Sequence, residues 1–274
     1  MSRPAGTRTV AIIPARYGSQ RFPGKPLALI AGKPMIVHVM ERTARARLVD
    51  RVIVATDDER IAEAVRSHGG EAVMTPTDVW SGSDRIALAA RPLAGTEIIV
   101  NVQGDEPLIP PPMIDEAIRP LLEDPSIEAG TLVRRIRSAA ELRNPNLPKV
   151  LLDRSGRCLY FSRASVPFGR GITPEELIAT FPVYGHVGLY VFRREFLLAF
   201  AAMTQTPLEM AEQLEQLRIL EHGHALHAVV TEHESIAVDT PGDLERVRAA
   251  FAAKVPHTPG KNTRHRKGDE GPAV

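Results

Sequence analysis

The sequence predicts an α/β fold, a mostly parallel central sheet flanked by helices, with a smaller antiparallel insertion in its second half. Two observations predict it. Short apolar runs rich in β-branched residues alternate with helix-period segments up to Pro107, the pattern of strands buried on both faces by crossover helices. Later, Asp153–Arg154–Ser155–Gly156 lies between two apolar runs, a hairpin signal.

Taken in order, Thr9–Ile13 reads as the first strand, ended by Pro14. Pro34 is placed to open a helix whose face carries Ile36, Val39, Met40 and Thr43. Arg51–Ala55 is the next strand, and Ile61 and Val65 mark a helix that stops at Gly69–Gly70. Ala72–Met74 is a third strand, and Ser81 or Ser83 caps a helix running to Ala90. Ile98–Val102 is the strongest strand, ending in Gly104–Asp105–Glu106–Pro107. In the second half, Lys149–Leu152 and Cys158–Phe161 form the hairpin, and Val187–Phe192 is a further strand. Pro207–Leu220 reads as one periodic helix with Leu208, Leu214, Leu217 and Leu220 inward, followed by a strand at Ala225–Val230 and a helix opened by Pro241. The expected organisation is one domain over 9–254 with the insertion at about 144–203, a flexible N-terminus at 1–8 and a disordered tail at 255–274.

Composition narrows the function. Hydrophobic residues make up 43% of the 274 residues, so most of the chain can fold around a core. No apolar run approaches the roughly 18–20 residues of a membrane span, and the short run after Arg8 gives no export signal, so no membrane insertion is expected. The tail from 255 onward holds four basic and two acidic residues; the rest holds 30 basic and 31 acidic. A body so balanced gives no reason to expect nucleic acid as a partner. The lone Cys158 fits a reducing cytoplasm.

In a parallel sheet, ligands bind outside the carboxyl ends of the strands. The segment after the first strand, Pro14 to Lys25, carries two glycines and concentrates Arg16, Arg21 and Lys25. Such a loop turns N–H groups toward an anion while the cations clamp its oxygens, and three cations suit a triphosphate. It is not a P-loop: five residues, not four, separate Gly18 from Gly24, and Pro26 follows Lys25. The plainer alternative is a solvated basic loop. Asp105 and Asp239 both sit at strand-to-helix junctions, where a carboxylate either holds Mg²⁺ for phosphoryl-group chemistry or caps a helix. Asp57, Asp58 and Asp84 read as helix-start residues, and His222, His224 and His227 as surface histidines with no common face.

The loop motif IIPARYGSQRFPGKPL, followed in order by VIVATDDERIAEAV, SGSDRIA, IVNVQGDEPLIP, NPNLPKVLLD, LYFSRASVPF, LEQLRIL and VDTPGDLERVR, resembles the 3-deoxy-manno-octulosonate (Kdo) cytidylyltransferases from about Thr9 to Ala253. The resemblance implies a nucleotide-diphospho-sugar-transferase-like sandwich, a homodimer, and transfer of CMP from CTP to Kdo for lipopolysaccharide biosynthesis. It implies Arg16, Lys25 and Asp105 as catalytic residues, and Pro14, Ala15, Arg16, Arg21, Lys25, Ser81, Gly82 and Arg85 as nucleotide contacts. It implies Gln103, Arg163, His186, Tyr190, Glu215 and Gln216 as sugar contacts, with Asp105 and Asp239 as Mg²⁺ ligands. Departures from the family pattern fall at Gln20, Phe168 and Gly185. The alternatives are activation of another sugar acid, of the 8-amino-Kdo or sialic acid type, or a non-catalytic nucleotide sensor on the same fold.

Overall fold

The structure, a computed structural model, describes residues 9–18, 22–79 and 81–254. The expectations for 1–8, Gln20, Arg21 and 255–274 lie outside the described residues. In chain order the elements are β1 (Thr9–Ala15), a 3₁₀ turn (Lys25–Leu27), β2 (Leu29–Ile30), β3 (Lys33–Pro34), α1 (Met35–Thr43), β4 (Arg51–Thr56) and α2 (Glu59–Arg66). Then come β5 (Glu71–Met74), α3 (Gly82–Ala90), β6 (Ile98–Asn101), α4 (Pro111–Glu123), β7 (Ala129–Arg135), α5 (Ala139–Arg143), β8 (Lys149–Leu152) and β9 (Cys158–Ser162). The chain continues through α6 (Pro174–Thr180), β10 (Tyr184–Arg193), α7 (Arg194–Phe200), α8 (Pro207–Glu212), α9 (Leu217–Glu221), β11 (His227–Val230) and α10 (Pro241–Lys254).

The main path of the sheet runs β11-β7-β10-β6-β1-β4-β5, and β10 alone on that path is antiparallel to its neighbours. β1 is central, pairing in parallel with β4 (Ile12↔Ile53) and β6 (Ile12↔Asn101). Its apolar run is continuous because both faces are covered. Ala11 and Ile13 enter one core with α1, α2 and α4, while Val10 and Ile12 enter the other with α3, α7 and Phe161 of β9. The antiparallel part of 144–203 is the β8–β9 hairpin, which hangs on the start of β10 through Gly185↔Lys149. β10 itself is also a strand of the main sheet.

The helix predicted over Pro207–Leu220 is two helices. Gln213 takes a left-handed conformation (φ 54) that ends α8, and the chain restarts at α9. Leu208 is therefore 40% exposed rather than core, while Leu214 and Leu217 are buried. The stretch between Pro107 and Asn144, for which periodicity predicts no element, carries α4, β7 and α5.

Candidate functional site

The carboxyl edge of β1 and β6 opens onto a cavity of about 280 Å³. Its wall brings together Pro14, Ala15 and Arg16 after β1, Lys25, then Ser81, Gly82 and Arg85 at the start of α3, Gln103 and Asp105 after β6, and Asp239 before α10. The segment after β1 is folded back by one backbone bond, Gly24 N–H to the Tyr17 carbonyl at 3.0 Å. Gly24 is required there because its φ is 71° and its α-carbon faces the Tyr17 ring. The Arg60 guanidinium stacks on the other partner of that loop, 3.5 Å from the Tyr17 ring centre. The 3₁₀ turn that follows aims Lys25 back across the sheet edge.

Lys25 Nζ donates to Asp105 Oδ2 at 2.7 Å and lies 3.6 Å from Asp239 Oδ1. Two carboxylates 134 positions apart in sequence thus face one cation. Capping does not account for Asp239. The cap of α10 is Thr240, whose hydroxyl accepts the Asp243 N–H while Asp243 Oδ2 accepts the Thr240 N–H. Although burial opposes it, hydrogen bonds from Arg246 and Thr240 hold the Asp243 carboxyl down at about 2. A divalent cation fits this pair: Mg²⁺ takes one or two carboxylates and completes its shell with water and phosphate oxygens. No cluster of three or more His, Cys, Asp or Glu able to hold a metal occurs among the described residues, the three histidines at 222, 224 and 227 included. Arg16 is exposed on the cavity and has no hydrogen-bond partner among the described residues.

Arg85 is on the wall but its charge is used in the protein. It is 3% exposed, pairs with Asp57 at 2.8 Å, and donates to Thr75 and to the Pro76 carbonyl. Asp57 therefore anchors Arg85, and Asp58 alone caps α2. Ser81 caps α3 by accepting the Asp84 N–H, and it donates to Glu215 Oε1 at 2.7 Å; Ser83 donates to Glu215 Oε2 at the same distance. Burial raises the Glu215 pKa, opposed by those two serines.

The residues expected at the sugar lie around this wall without all reaching the cavity. Gln103 lines it. His186 and Tyr190 share a face of β10, their rings 5.3 Å apart. Burial pushes His186 down to about 3, so its ring is neutral, and its Nε2 meets the Thr131 hydroxyl at 2.9 Å. Gln216 is 4% exposed and its Nε2 has no hydrogen-bond partner among the described residues. Arg163 is committed elsewhere: Nε and Nη2 donate to the carbonyls of Glu212 and Gln213, and Nη1 to that of Pro145. It clamps the left-handed corner between α8 and α9 instead of presenting its fork to a carboxylate.

A family model described as cytidylyltransferase matches residues 10–235. The 3-deoxy-manno-octulosonate cytidylyltransferase of Geobacter sulfurreducens is 58% identical over 242 residues, covering 86% of this chain and 96% of that one. The chain belongs to the 3-deoxy-manno-octulosonate cytidylyltransferase family. A relative of the same name from Solibacter usitatus is 48% identical over 248 residues, covering 90% and 96%. A solved CMP:2-keto-3-deoxy-manno-octonic acid synthetase, complexed with CTP, matches with a TM-score of 0.85 at 39% identity over 91% of this chain and all of that one.

One polar group in this family member escaped the sequence. Glu106 lines a second cavity, of about 440 Å³, with His186, Gly188 and Ser235. Its Oε2 and the Ser235 hydroxyl are buried without a hydrogen bond of ordinary geometry among the described residues. Burial, then the charge of Asp105, push the Glu106 carboxyl up to about 7, against the nearby Ser235 hydroxyl. A Glu between Asp and Pro in a turn gives no signal of burial, which is why only the structure finds it.

Two outcomes are expected. The folded Glu106 pKa lies above its ordinary 4.5, so between these values the folded chain binds more protons and stability falls as pH rises, the loss being complete above about 7. Glu106→Gln should gain on the order of 1–3 kcal/mol over wild type at about pH 8 and nothing at about pH 4. Thermal melts across that range check it, and a pH-independent difference would rule it out. Arg163→Ala should cost about 1–3 kcal/mol by leaving three carbonyls without their donor, with Arg163→Lys failing to restore the fork. Unchanged unfolding by urea, together with a large rise in KM for the sugar acid, would return Arg163 to the substrate.

Proposed function

We infer that this protein transfers CMP from CTP to Kdo, releasing pyrophosphate and activating the sugar acid for lipopolysaccharide biosynthesis. The observation that carries the reading is the cavity at the β1–β6 edge, where Lys25 faces Asp105 and Asp239 beside Arg16. In the reaction the anomeric hydroxyl oxygen of Kdo forms a bond to the α-phosphorus of CTP. The bond from that phosphorus to the oxygen bridging the β-phosphate breaks in line, the hydroxyl proton passes to solvent water, and the electron pair leaves with pyrophosphate. Arg16 and Lys25 hold phosphate oxygens and offset the charge developing on the leaving group; Arg21, outside the described residues, is proposed for the same task. Pro14 and Ala15 offer backbone groups to the nucleotide. Ser81 and Gly82 place the N-terminus of α3 against it, and Arg85 keeps that wall in position. Gln103, Tyr190, His186 and Gln216 face the acceptor. Asp105 and Asp239 would hold Mg²⁺, which when bound supplies positive charge to the phosphates and lowers the pKa of the attacking hydroxyl.

A non-catalytic sensor has no use for paired carboxylates opposite a cationic loop, and another sugar acid finds no particular support. The reaction consumes CTP, which supports a cytoplasmic location, and no helix among the described residues is long and apolar enough to cross a membrane. We also propose a homodimer, supported by the exposed apolar side chains of Leu159, Phe168, Ile172 and Phe181. Light scattering of the purified protein should give twice the chain mass; a monomer at micromolar concentration would end that proposal.

The deciding test is pyrophosphate release with CTP, Mg²⁺ and a panel of sugar acids. Kdo should give the highest kcat/KM, ahead of its 8-amino analogue and sialic acid. Lys25→Ala and Asp105→Asn should each lower kcat by about 10²–10³. A preference for sialic acid would overturn the choice of acceptor, and full activity in both variants would remove the assigned site.

A further inference from the structure

We propose that Lys25 is an internal stand-in for the divalent cation. Its ammonium holds the metal's place between Asp105 and Asp239 until the nucleotide arrives, and then moves to the phosphates. The proposal rests on the reading of those two carboxylates as metal ligands.

Three observations carry it. First, the ammonium reaches both carboxylates at once, at 2.7 and 3.6 Å. A divalent cation held by these carboxylates would meet the Lys25 ammonium beside the same oxygens, and the repulsion between like charges sets the two occupancies against one another. Second, the carboxylates sit on short side chains of tied backbone, whereas the ammonium ends a long flexible stem. The Asp105 carbonyl accepts the Val238 N–H at 2.9 Å, tying the turn after β6 to the segment before α10. The Thr240–Asp243 capping box then fixes the chain directly after Asp239. Lys25 reaches in on a four-carbon stem and can leave without moving any of this. Third, the Lys25 side chain is only 13% exposed, so solvent and salt screen its hold on Asp105 poorly.

The consequence is a coupling between metal and nucleotide. Without CTP the metal must displace a bonded ammonium that gains nothing in exchange, so it binds weakly. With CTP the displaced ammonium acquires phosphate oxygens in the same cavity, and each ligand strengthens the other. Arg16, which has no bond to either carboxylate among the described residues, has no such effect.

Mn²⁺ titration followed by electron paramagnetic resonance, on full-length protein without nucleotide, tests this independently of turnover. Lys25→Met should bind Mn²⁺ about ten-fold more tightly than wild type, the order expected for removing one charged hydrogen bond in competition. Arg16→Met should stay within about two-fold of wild type. Lys25→Gln, with thermal melts on every variant, guards against a folding defect in one of them. Mn²⁺ binding that depends on Asp105 but is not tighter in either Lys25 variant would overturn the stand-in and leave the metal reading in place. Equal tightening by Arg16→Met would overturn it as well, reducing the effect to general charge. No Mn²⁺ binding by any of the proteins would remove the metal reading and this inference with it.

Discussion

The close approach between the end of β1 and the turn after β6 sets where every reactive group can stand. A β-carbon on Gly104 would lie 2.7 Å from the Pro14 carbonyl oxygen and in contact with Ile13 and Ile36. Only glycine lets the two segments touch at that point, and the touch carries the β1–β6 pairing one step past the last ladder residue, to Val102 N–H on the Ile12 carbonyl. Asp105 follows immediately, so its position is fixed by two buried strands. The same edge delivers Arg16 from β1, and the fold-back through Gly24 returns Lys25 to it. Sheet geometry rather than loop chemistry thus gathers these groups, as expected where parallel strands end together.

Neighbouring carboxylates in this cleft are given opposite environments. Asp105 is 28% exposed and bonded to Lys25, whereas Glu106, one residue on, is buried with an unpaired oxygen and a pKa near 7. Both follow from a single turn in which successive side chains point to different sides of the chain. Asp105 looks toward the cation and Glu106 toward the second cavity. Burial that raises the Glu106 pKa to about 7 leaves that carboxyl partly protonated near neutrality, which lessens its repulsion of Asp105.

Much of this was legible in the sequence. Continuous apolar strands such as Ile98–Asn101 announce themselves because both faces are buried, and Ser81 and Pro241 mark helix starts by local chemistry that needs no tertiary context. The post-strand loop with Arg16 and Lys25, and the presence of Asp105 and Asp239 at junctions, were equally plain. What stayed hidden was decided by contacts. Gln213 adopts a left-handed conformation that nothing in the LEQLRIL pattern requires. It is held by Arg163, just past the end of β9 and 50 positions away, which binds the carbonyls of Glu212 and of Gln213 itself. For the same reason Arg163 could be read as a carboxylate ligand: an arginine's partners are invisible until the chain is folded. Which of two neighbouring residues, Asp239 or Thr240, caps α10 is likewise separated only by hydrogen-bond geometry.

That corner also explains how the two sides of the cleft are kept in register. Arg163 fixes the turn from α8 into α9, and Glu212 at the end of α8 accepts the Ser162 hydroxyl and the Arg163 N–H, binding the turn to β9. Two residues past the corner, Glu215 takes hydrogen bonds from Ser81 and Ser83 at the N-terminus of α3, where a carboxylate is favoured by the helix dipole. The cavity wall at the start of α3 is thereby joined to the segment carrying Gln216. Movement of α3 must either carry this segment with it or leave Glu215 buried without partners, and the second option is costly. The start of α3 and the segment carrying Gln216 are therefore tied to one another through a single buried carboxylate.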